Sequence, residues 1–316
     1  MSLPLHFISC DWGTSNFRLR LVETKTLKVL SEHRTDVGIK NHFQKFKNQQ
    51  TEDQHTFFAI YLMEQMNHLD LDKTNDLFVV ASGMLSSSIG MKELPYANMP
   101  IAFNGEDLIC EAVSMDGESK LLLVSGAKTE NDVMRGEEIQ AVGLSNRLPK
   151  EERGILLLPG THSKHITFQK GRFEDFTTYM TGELFEIISK QSILAASLKP
   201  AEWDTSFREI FLRGVGEGVA NRQMTSLFSI RANDLIKDIP RKQNYFFLSG
   251  LLIGGELAAL KDRNETVYLA ATGINNELYK LALERFLPFE QIVCFEEGVL
   301  EKAVLTGQRK ILETYA

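Results

Sequence analysis

Two short segments place glycine and hydroxyl side chains directly after an apolar run: Asp11-Trp12-Gly13-Thr14-Ser15 and Pro159-Gly160-Thr161-His162. A turn that meets a phosphate closely needs glycine, so that backbone N–H groups can approach, and hydroxyls to give further hydrogen bonds. Either segment alone reads as an ordinary hairpin tip. The pair shifts the reading toward phosphate binding, because Gly160 lies 147 positions after Gly13 in a chain of 316. Asp11 closes its apolar run, where a carboxylate has no packing role. It could hold Mg²⁺ through water or simply open the turn.

The stretch Asn131-Asp132-Val133-Met134-Arg135-Gly136-Glu137-Glu138-Ile139-Gln140 sets a cation and two carboxylates at the start of a helix predicted from about Val133 to Leu148. Asn131 or Asp132 reads as its N-cap, and the two glutamates complement the helix dipole. Val133, Met134, Ala141, Val142 and Leu144 leave few polar neighbours. At least one glutamate therefore faces a partly buried space, where a carboxylate can orient a hydroxyl and take its proton. Arg135 could bind a substrate carboxylate or a transferring phosphoryl group, with an ion pair to Glu137 or Glu138 as the competing reading. Two glycine-bearing segments of low charge, Gly250 to Gly255 and Ala271-Thr272-Gly273, could admit a flat adenine against backbone. Close helix packing through glycine is the equal alternative for each segment.

These residues need elements to position them. Phe7 to Cys10 and the alternating Phe17-Arg18-Leu19-Arg20-Leu21-Val22 predict a hairpin whose tip is the first turn. A third strand at Lys28 to Leu30, a helix from Gln54 to His68, and strands at Leu77 to Ala81 and Leu121 to Val124 follow. Ile155 to Phe168 repeats the order of apolar strand, Gly-Thr turn and alternating strand, closing at Lys170-Gly171. Later come a strand at Thr266 to Ala271, an amphipathic helix at Asn276 to Phe286, a strand at Ile292 to Phe295 and a last helix. The expectation is an α/β protein of two similar domains, 1–148 and 149–316, meeting at a cleft, with the boundary in the charged, proline-containing Leu148 to Glu152.

Composition narrows the partners. With 35 Lys and Arg against 42 Asp and Glu the net charge is −7, so neither nucleic acid nor an anionic membrane has a basic footprint to meet. Cys10, Cys110 and Cys294 are odd in number and far apart, which predicts reduced thiols rather than a bridge framework. No basic signal region opens the chain and no long apolar stretch follows, so a cytoplasmic protein is expected.

The motifs DWGTSNFRLRL, SGM at Ser82 to Met84, GMKELPY, VMRGEEIQ, LLPGTHSKH, YMTGELFEIIS and FLSGLLIGGE together resemble the 2-dehydro-3-deoxygalactonokinase family of the sugar kinase, Hsp70 and actin ATPase superfamily. The resemblance runs nearly end to end. It departs at Met91, where the family pattern carries Trp after the glycine. It implies two ribonuclease H-like domains flanking a nucleotide cleft, with the final helix returning to the first domain. ATP and Mg²⁺ are the implied cofactors. Asp11, Gly13, Thr14 and Ser15 would form the first phosphate element, and Gly160, Thr161 and His162 the second. Thr272 and Gly273, with Gly250 and Gly254, would hold adenosine. Arg18, Ser82, Gly83, Met84, Arg135 and Lys164 would meet the substrate.

The implied reaction moves the ATP γ-phosphate to the 6-hydroxyl of 2-dehydro-3-deoxy-galactonate in galactose or galactonate breakdown. Related sugar kinases carry a Gly-Asp at the head of the helix before the second turn, and Gly136-Glu137 matches that order with Glu for Asp. The resemblance thus favours Glu137 as the base, with Glu138 next to it and Asp132 as cap. A kinase of another small sugar or sugar acid remains open, as does a non-catalytic nucleotide switch. A homodimer is the only protein partner in view.

Overall fold

The structure, a computed structural model, describes residues 3–49, 52–71, 78–115 and 120–315. In chain order its strands are β1 (His6–Trp12), β2 (Phe17–Glu23), β3 (Lys28–Thr35), β4 (Phe78–Gly83), β5 (Ala97–Asn98), β6 (Ile101–Ala102), β7 (Cys110–Ser114), β8 (Lys120–Val124), β9 (Ala127–Lys128), β10 (Val133–Met134), β11 (Gly154–Leu158), β12 (Ser163–Gln169), β13 (Arg172–Tyr179), β14 (Thr266–Leu269) and β15 (Ile292–Cys294). The helices are α1 (Ile39–Lys47), α2 (Gln54–Met66), α3 (Glu137–Leu144), α4 (Thr181–Gln191), α5 (Arg208–Val219), α6 (Gln223–Ile236), α7 (Arg241–Leu257), α8 (Gly273–Leu283), α9 (Glu297–Glu301) and α10 (Ala303–Tyr315). Leu77, read as the start of a strand, lies outside the described residues. Two compact units form, the first from Met1–Glu151, Gln169–Asp175 and Gly298–Ala316, the second from Glu152–Phe168 and Phe176–Glu297.

The first unit orders its sheet β3-β2-β1-β4-β8-β7. β1 runs antiparallel to β2 and parallel to β4, and β4 runs parallel to β8. Alternation along β1 and β2 puts Ile8, Cys10, Trp12, Phe17, Leu19 and Leu21 on one face, where Phe58 and Leu62 of α2 close a core with them. The other face carries Ser9 opposite Arg20 and Asp11 opposite Arg18. Against this unit packs α10, whose Gln308 Nε2 donates to the Cys10 carbonyl at 3.2 Å and to Ser82 Oγ at 3.0 Å. Contact between α10 and α3 needs two glycines: a Cβ on Gly143 would lie 1.8 Å from the Ala303 carbonyl oxygen, and one on Gly307 2.1 Å from that of Ile139. Lys310 Nζ donates to the Val142 carbonyl at 3.0 Å and to Ser145 Oγ at 2.6 Å, which satisfies an acceptor in the last turn of α3.

The helix read from Val133 starts four residues later. Val133 and Met134 pair with Lys128 and Ala127 as strand β10 on β9. Gly136, at φ 111°, then turns the chain into α3 and is its N-cap. Neither Asn131 nor Asp132 caps that helix; Asp132 Oδ1 accepts from the Val133 N–H at 2.8 Å instead.

The second unit orders its strands β13-β12-β11-β14-β15. Here β11 runs antiparallel to β12 and parallel to β14, and β14 runs parallel to β15. The first unit's β3-β2-β1-β4-β8 follows the same order, so the repeat visible at Gly13 and Gly160 extends to whole sheets. The fold is α/β, built on two ribonuclease H-like sheets. No helix among the described residues is long and apolar enough to cross a membrane.

Candidate active site

In the first unit, Asp11 at the end of β1 pairs in register with Ser82 of β4 and Arg18 of β2. Gly83 sits at φ 87°, and a Cβ there would lie 3.1 Å from the Trp12 carbonyl oxygen and 4.0 Å from Asp11 Oδ1. A Cβ on Gly136 would lie 3.6 Å from the Gly83 Cα. The start of α3 thus comes to the end of β1, and residues 125 positions apart in sequence, Asp11 and Gly136, reach one place. Burial lifts the Asp11 carboxyl above its ordinary range, and the Arg20 and Arg18 guanidinia work against that lift.

The two glutamates of α3 are unlike. Glu138 is fully buried, and both its oxygens accept from the Gly136 N–H, at 2.8 and 2.7 Å. Burial, with the charge of Glu137 beside it, pushes its carboxyl up to about 8. Glu137 is partly exposed and takes the Arg135 backbone N–H on Oε2 at 3.2 Å. Both glutamates thus serve backbone N–H groups at the turn into the helix, but only Glu137 keeps a partly exposed face.

The Arg135 guanidinium donates to Ser86 O at 2.7 Å, to Ser86 Oγ at 2.6 Å and to Leu94 O at 3.4 Å, and lies 4.3 Å from the Tyr96 ring centroid. Arginine therefore ties the segment after β4 to the start of α3. Of the residues assigned to substrate, Ser82 is buried and engaged by Gln308, Arg18 of β2 pairs in register with Asp11, Gly83 lies beside Asp11 at the end of β4, and Met84 opens the short turn that follows β4. Met91 is buried in the first core.

The second unit holds Gly160, Thr161 and His162 at an exposed turn between β11 and β12. His162 Nε2 is 2.6 Å from Glu183 Oε2. Lys164, assigned to substrate, is buried, and its Nζ donates to the His162 carbonyl at 3.0 Å. Beside the turn opens a cavity of about 790 Å³ with Gly160, Thr161, Phe185, Trp203, Tyr245, Phe246 and Tyr279 in its lining. Aromatic walls next to a glycine-hydroxyl turn suit a nucleoside carrying phosphates.

Gly250 and Gly254 do not line that cavity. They are contact points between helices: a Cβ on Gly250 would lie 2.1 Å from the Phe211 carbonyl oxygen, and one on Gly254 2.3 Å from that of Val215. The packing alternative is what the structure shows for both. Ser249, Leu252 and Ile253 of the same helix face the cavity in their stead. Thr272 stands at the N-cap position of α8 without a side-chain capping bond, and Gly273 begins the helix at φ 54°, directly before the cavity residues Ile274 and Asn275.

Two further glycines escape the sequence reading. Gly38 precedes α1, and a Cβ on it would lie 2.1 Å from the Thr14 carbonyl oxygen; the Ile39 N–H donates to Gly13 O at 3.0 Å. Gly182 lies in the first turn of α4, where a Cβ would come 2.6 Å from the Gly160 carbonyl oxygen, and the Glu183 N–H donates to Thr161 O at 3.1 Å. Each Gly-Thr turn is thus propped by a helix N-terminus carrying a glycine, 25 residues after Gly13 and 22 after Gly160. That spacing is the signal a repeat search could have used.

Among the described residues no group of three or more His, Cys, Asp or Glu side chains is placed to hold a metal ion. Asp11 with the neighbouring turn hydroxyls offers oxygen donors only. That suits Mg²⁺, which keeps several waters and takes one or two carboxylates.

The model of the 2-keto-3-deoxy-galactonokinase family matches residues 11–303. The 2-dehydro-3-deoxygalactonokinase of Escherichia coli (strain K12) is 30% identical over 265 residues, 82% of this chain and 82% of its own. A Rhizobium meliloti (strain 1021) protein assigned the same name is 30% identical over 292 residues, 90% of each chain. A crystal structure of a protein of that name from Sinorhizobium meliloti has a TM-score of 0.80 at 28% identity, covering 96% of this chain and 94% of that one.

Proposed function

The chain belongs to the 2-keto-3-deoxy-galactonokinase family, and from that premise we propose that it transfers the γ-phosphoryl group of ATP to the 6-hydroxyl of 2-dehydro-3-deoxy-D-galactonate. The observation that carries this reading is the difference between the α3 glutamates, which leaves one accessible carboxylate beside the end of β1. Phosphoryl transfer asks a protein for positioning and charge stabilisation more than for covalent chemistry. In the second unit the aromatic cavity takes the nucleoside, and the backbone and hydroxyl of Gly160-Thr161 take the phosphates. In the first unit Asp11 would hold Mg²⁺ through water, and that ion, when bound, would neutralise charge on the transferring phosphates.

Glu137 orients the sugar-acid hydroxyl and accepts its proton as the bond to phosphorus forms. Arg135 ties down the segment from Ser86 to Leu94 and supplies the positive charge an acidic substrate needs in a chain of net charge −7. Exclusion of water protects the transferring group, since water competes with the sugar hydroxyl as acceptor. The test is ADP release across a panel of 2-keto-3-deoxy sugar acids. Release that depends on 2-dehydro-3-deoxy-D-galactonate supports the reading; slow hydrolysis indifferent to every sugar acid overturns it.

A further inference from the structure

Behind the second turn lies a buried polar chain that phosphate binding alone does not require. Ser163, Glu256 and Tyr279 are 0%, 2% and 3% exposed. The Gly160 N–H donates to Ser163 Oγ at 3.3 Å, Ser163 Oγ is 3.2 Å from Tyr279 Oη, and Tyr279 Oη donates to Glu256 Oε2 at 2.7 Å. His165 Nε2 meets the other carboxylate oxygen, Oε1, at 3.1 Å. Thr181, the first residue of α4, also bonds the tyrosine hydroxyl.

The direction of the chain follows from its end. A carboxylate only accepts, so the tyrosine proton is spent on Glu256, and the tyrosine oxygen is left to accept from Ser163 and Thr181. Burial, and Glu256 next to it, hold the Tyr279 hydroxyl well above its ordinary pKa, so the proton stays on the oxygen. Ser163 then has its lone pairs for the Gly160 N–H. Tyr279 therefore bonds both flanks of the turn at once: the strand leaving it, through Ser163, and the helix propping it, through Thr181. Its ring lines the same cavity.

We propose that Tyr279 is a positioning residue for the nucleotide phosphates, one hydroxyl setting the Gly160-Thr161 turn from both sides while the ring forms part of the nucleoside wall. The inference rests on the reading of this cavity as the nucleotide site. It separates two roles of one side chain, and ligands with and without phosphates can tell them apart.

Tyr279→Phe keeps the ring and deletes the hydroxyl; Ser163→Ala cuts the same chain one link nearer the turn. In the full-length protein, calorimetric titration with ATP and with adenosine should show ATP affinity weakened about tenfold in each variant, with adenosine affinity within about twofold of wild type. KM for ATP should rise while KM for the sugar acid stays put. Equal weakening for ATP and adenosine, or no change in either with melting temperature retained, overturns the proposal, because the hydroxyl would then serve the wall or nothing at the turn. Should Tyr279→Phe fail to fold, the Ser163→Ala titration decides on the same criteria. A wild-type protein that binds ATP without protecting Trp203 fluorescence from quencher sinks the nucleotide reading of the cavity itself, which is a different failure from either variant behaving like wild type.

Discussion

The Gly136 N–H lies between both carboxylate oxygens of Glu138, at 2.8 and 2.7 Å, so the fully buried glutamate is spent on the backbone that opens α3. Its neighbour Glu137 is partly exposed, and the proposed role of base falls to it. Glu137→Gln keeps size and hydrogen bonding and should lower kcat by about 10² to 10⁴ while ATP still binds. Glu138→Gln should cost less. The reverse order in steady-state kinetics would move the base by one residue.

Glu138 also writes a pH dependence into stability. Its carboxyl titrates near 4.5 when unfolded and about 8 when folded, so the native state holds the proton more tightly. The stability this contributes is complete below the unfolded value and is lost as pH rises toward about 8. Thermal melts should therefore fall across that window, by the equivalent of about a few kcal/mol at most. Glu138→Gln, neutral throughout, should flatten the fall. Parallel wild-type and variant curves would refute it.

Asp11→Asn should leave the melting temperature near that of wild type, since the side chain stands at a strand end. Turnover should drop on the order of 10²-fold or more, as expected when a group positioning several kcal/mol of charge stabilisation is removed. Near-normal kcat in the purified variant would strip Asp11 of its role.

Arg135→Lys should raise KM for the sugar acid roughly tenfold with KM for ATP unchanged, because an ammonium cannot reproduce a guanidinium fork that spans Ser86 and Leu94. If the melting temperature falls and both KM values hold, the arginine is a strut and the substrate carboxylate binds elsewhere.

Gly250→Ala should act on folding before it acts on nucleotide. The added methyl meets the Phe211 carbonyl of α5, and overpacking of this kind costs about 1 to 3 kcal/mol or more. A lowered melting temperature with ATP affinity retained in the folded fraction is the expected result. Weakened ATP binding at an unchanged melting temperature would return this glycine to the adenosine site.

What can be read in advance follows the range over which each signal acts. Alternation in Phe17 to Val22 and the apolar run at Ile155 to Leu158 announce strands because apolar side chains recur at Phe17, Leu19 and Leu21 in the one and run unbroken in the other, although in the folded β2 burial also takes in Arg20 and Val22. Both Gly-Thr turns are legible for the same reason, being bounded by those strands. Val133-Met134 reads as helix because its apolar pattern is shared by either state, and only the partner strand at Ala127-Lys128 decides it. Gly250 and Gly254 look suited to adenine since a glycine says that something comes close without saying what. The something is α5. Gly38 and Gly182 escape notice because their partners are turns more than twenty residues earlier in the chain. The unequal burial of Glu137 and Glu138 lies beyond helical periodicity altogether, as it depends on which side of α3 faces the backbone at Gly136.

The position of α10 in the chain has a consequence for synthesis. Gln308 reaches under β1 to Cys10, Lys310 closes the end of α3, and Gly307 fits against Ile139. A ribosome delivers β1 and α3 first and must then make more than 150 further residues before the helix that finishes their unit exists. The second unit, 152–168 with 176–297, has all its parts earlier. The half that is begun first is completed last, and a nascent chain stalled before residue 303 lacks the helix that covers the Gly143 and Gly105 surface of the unfinished half.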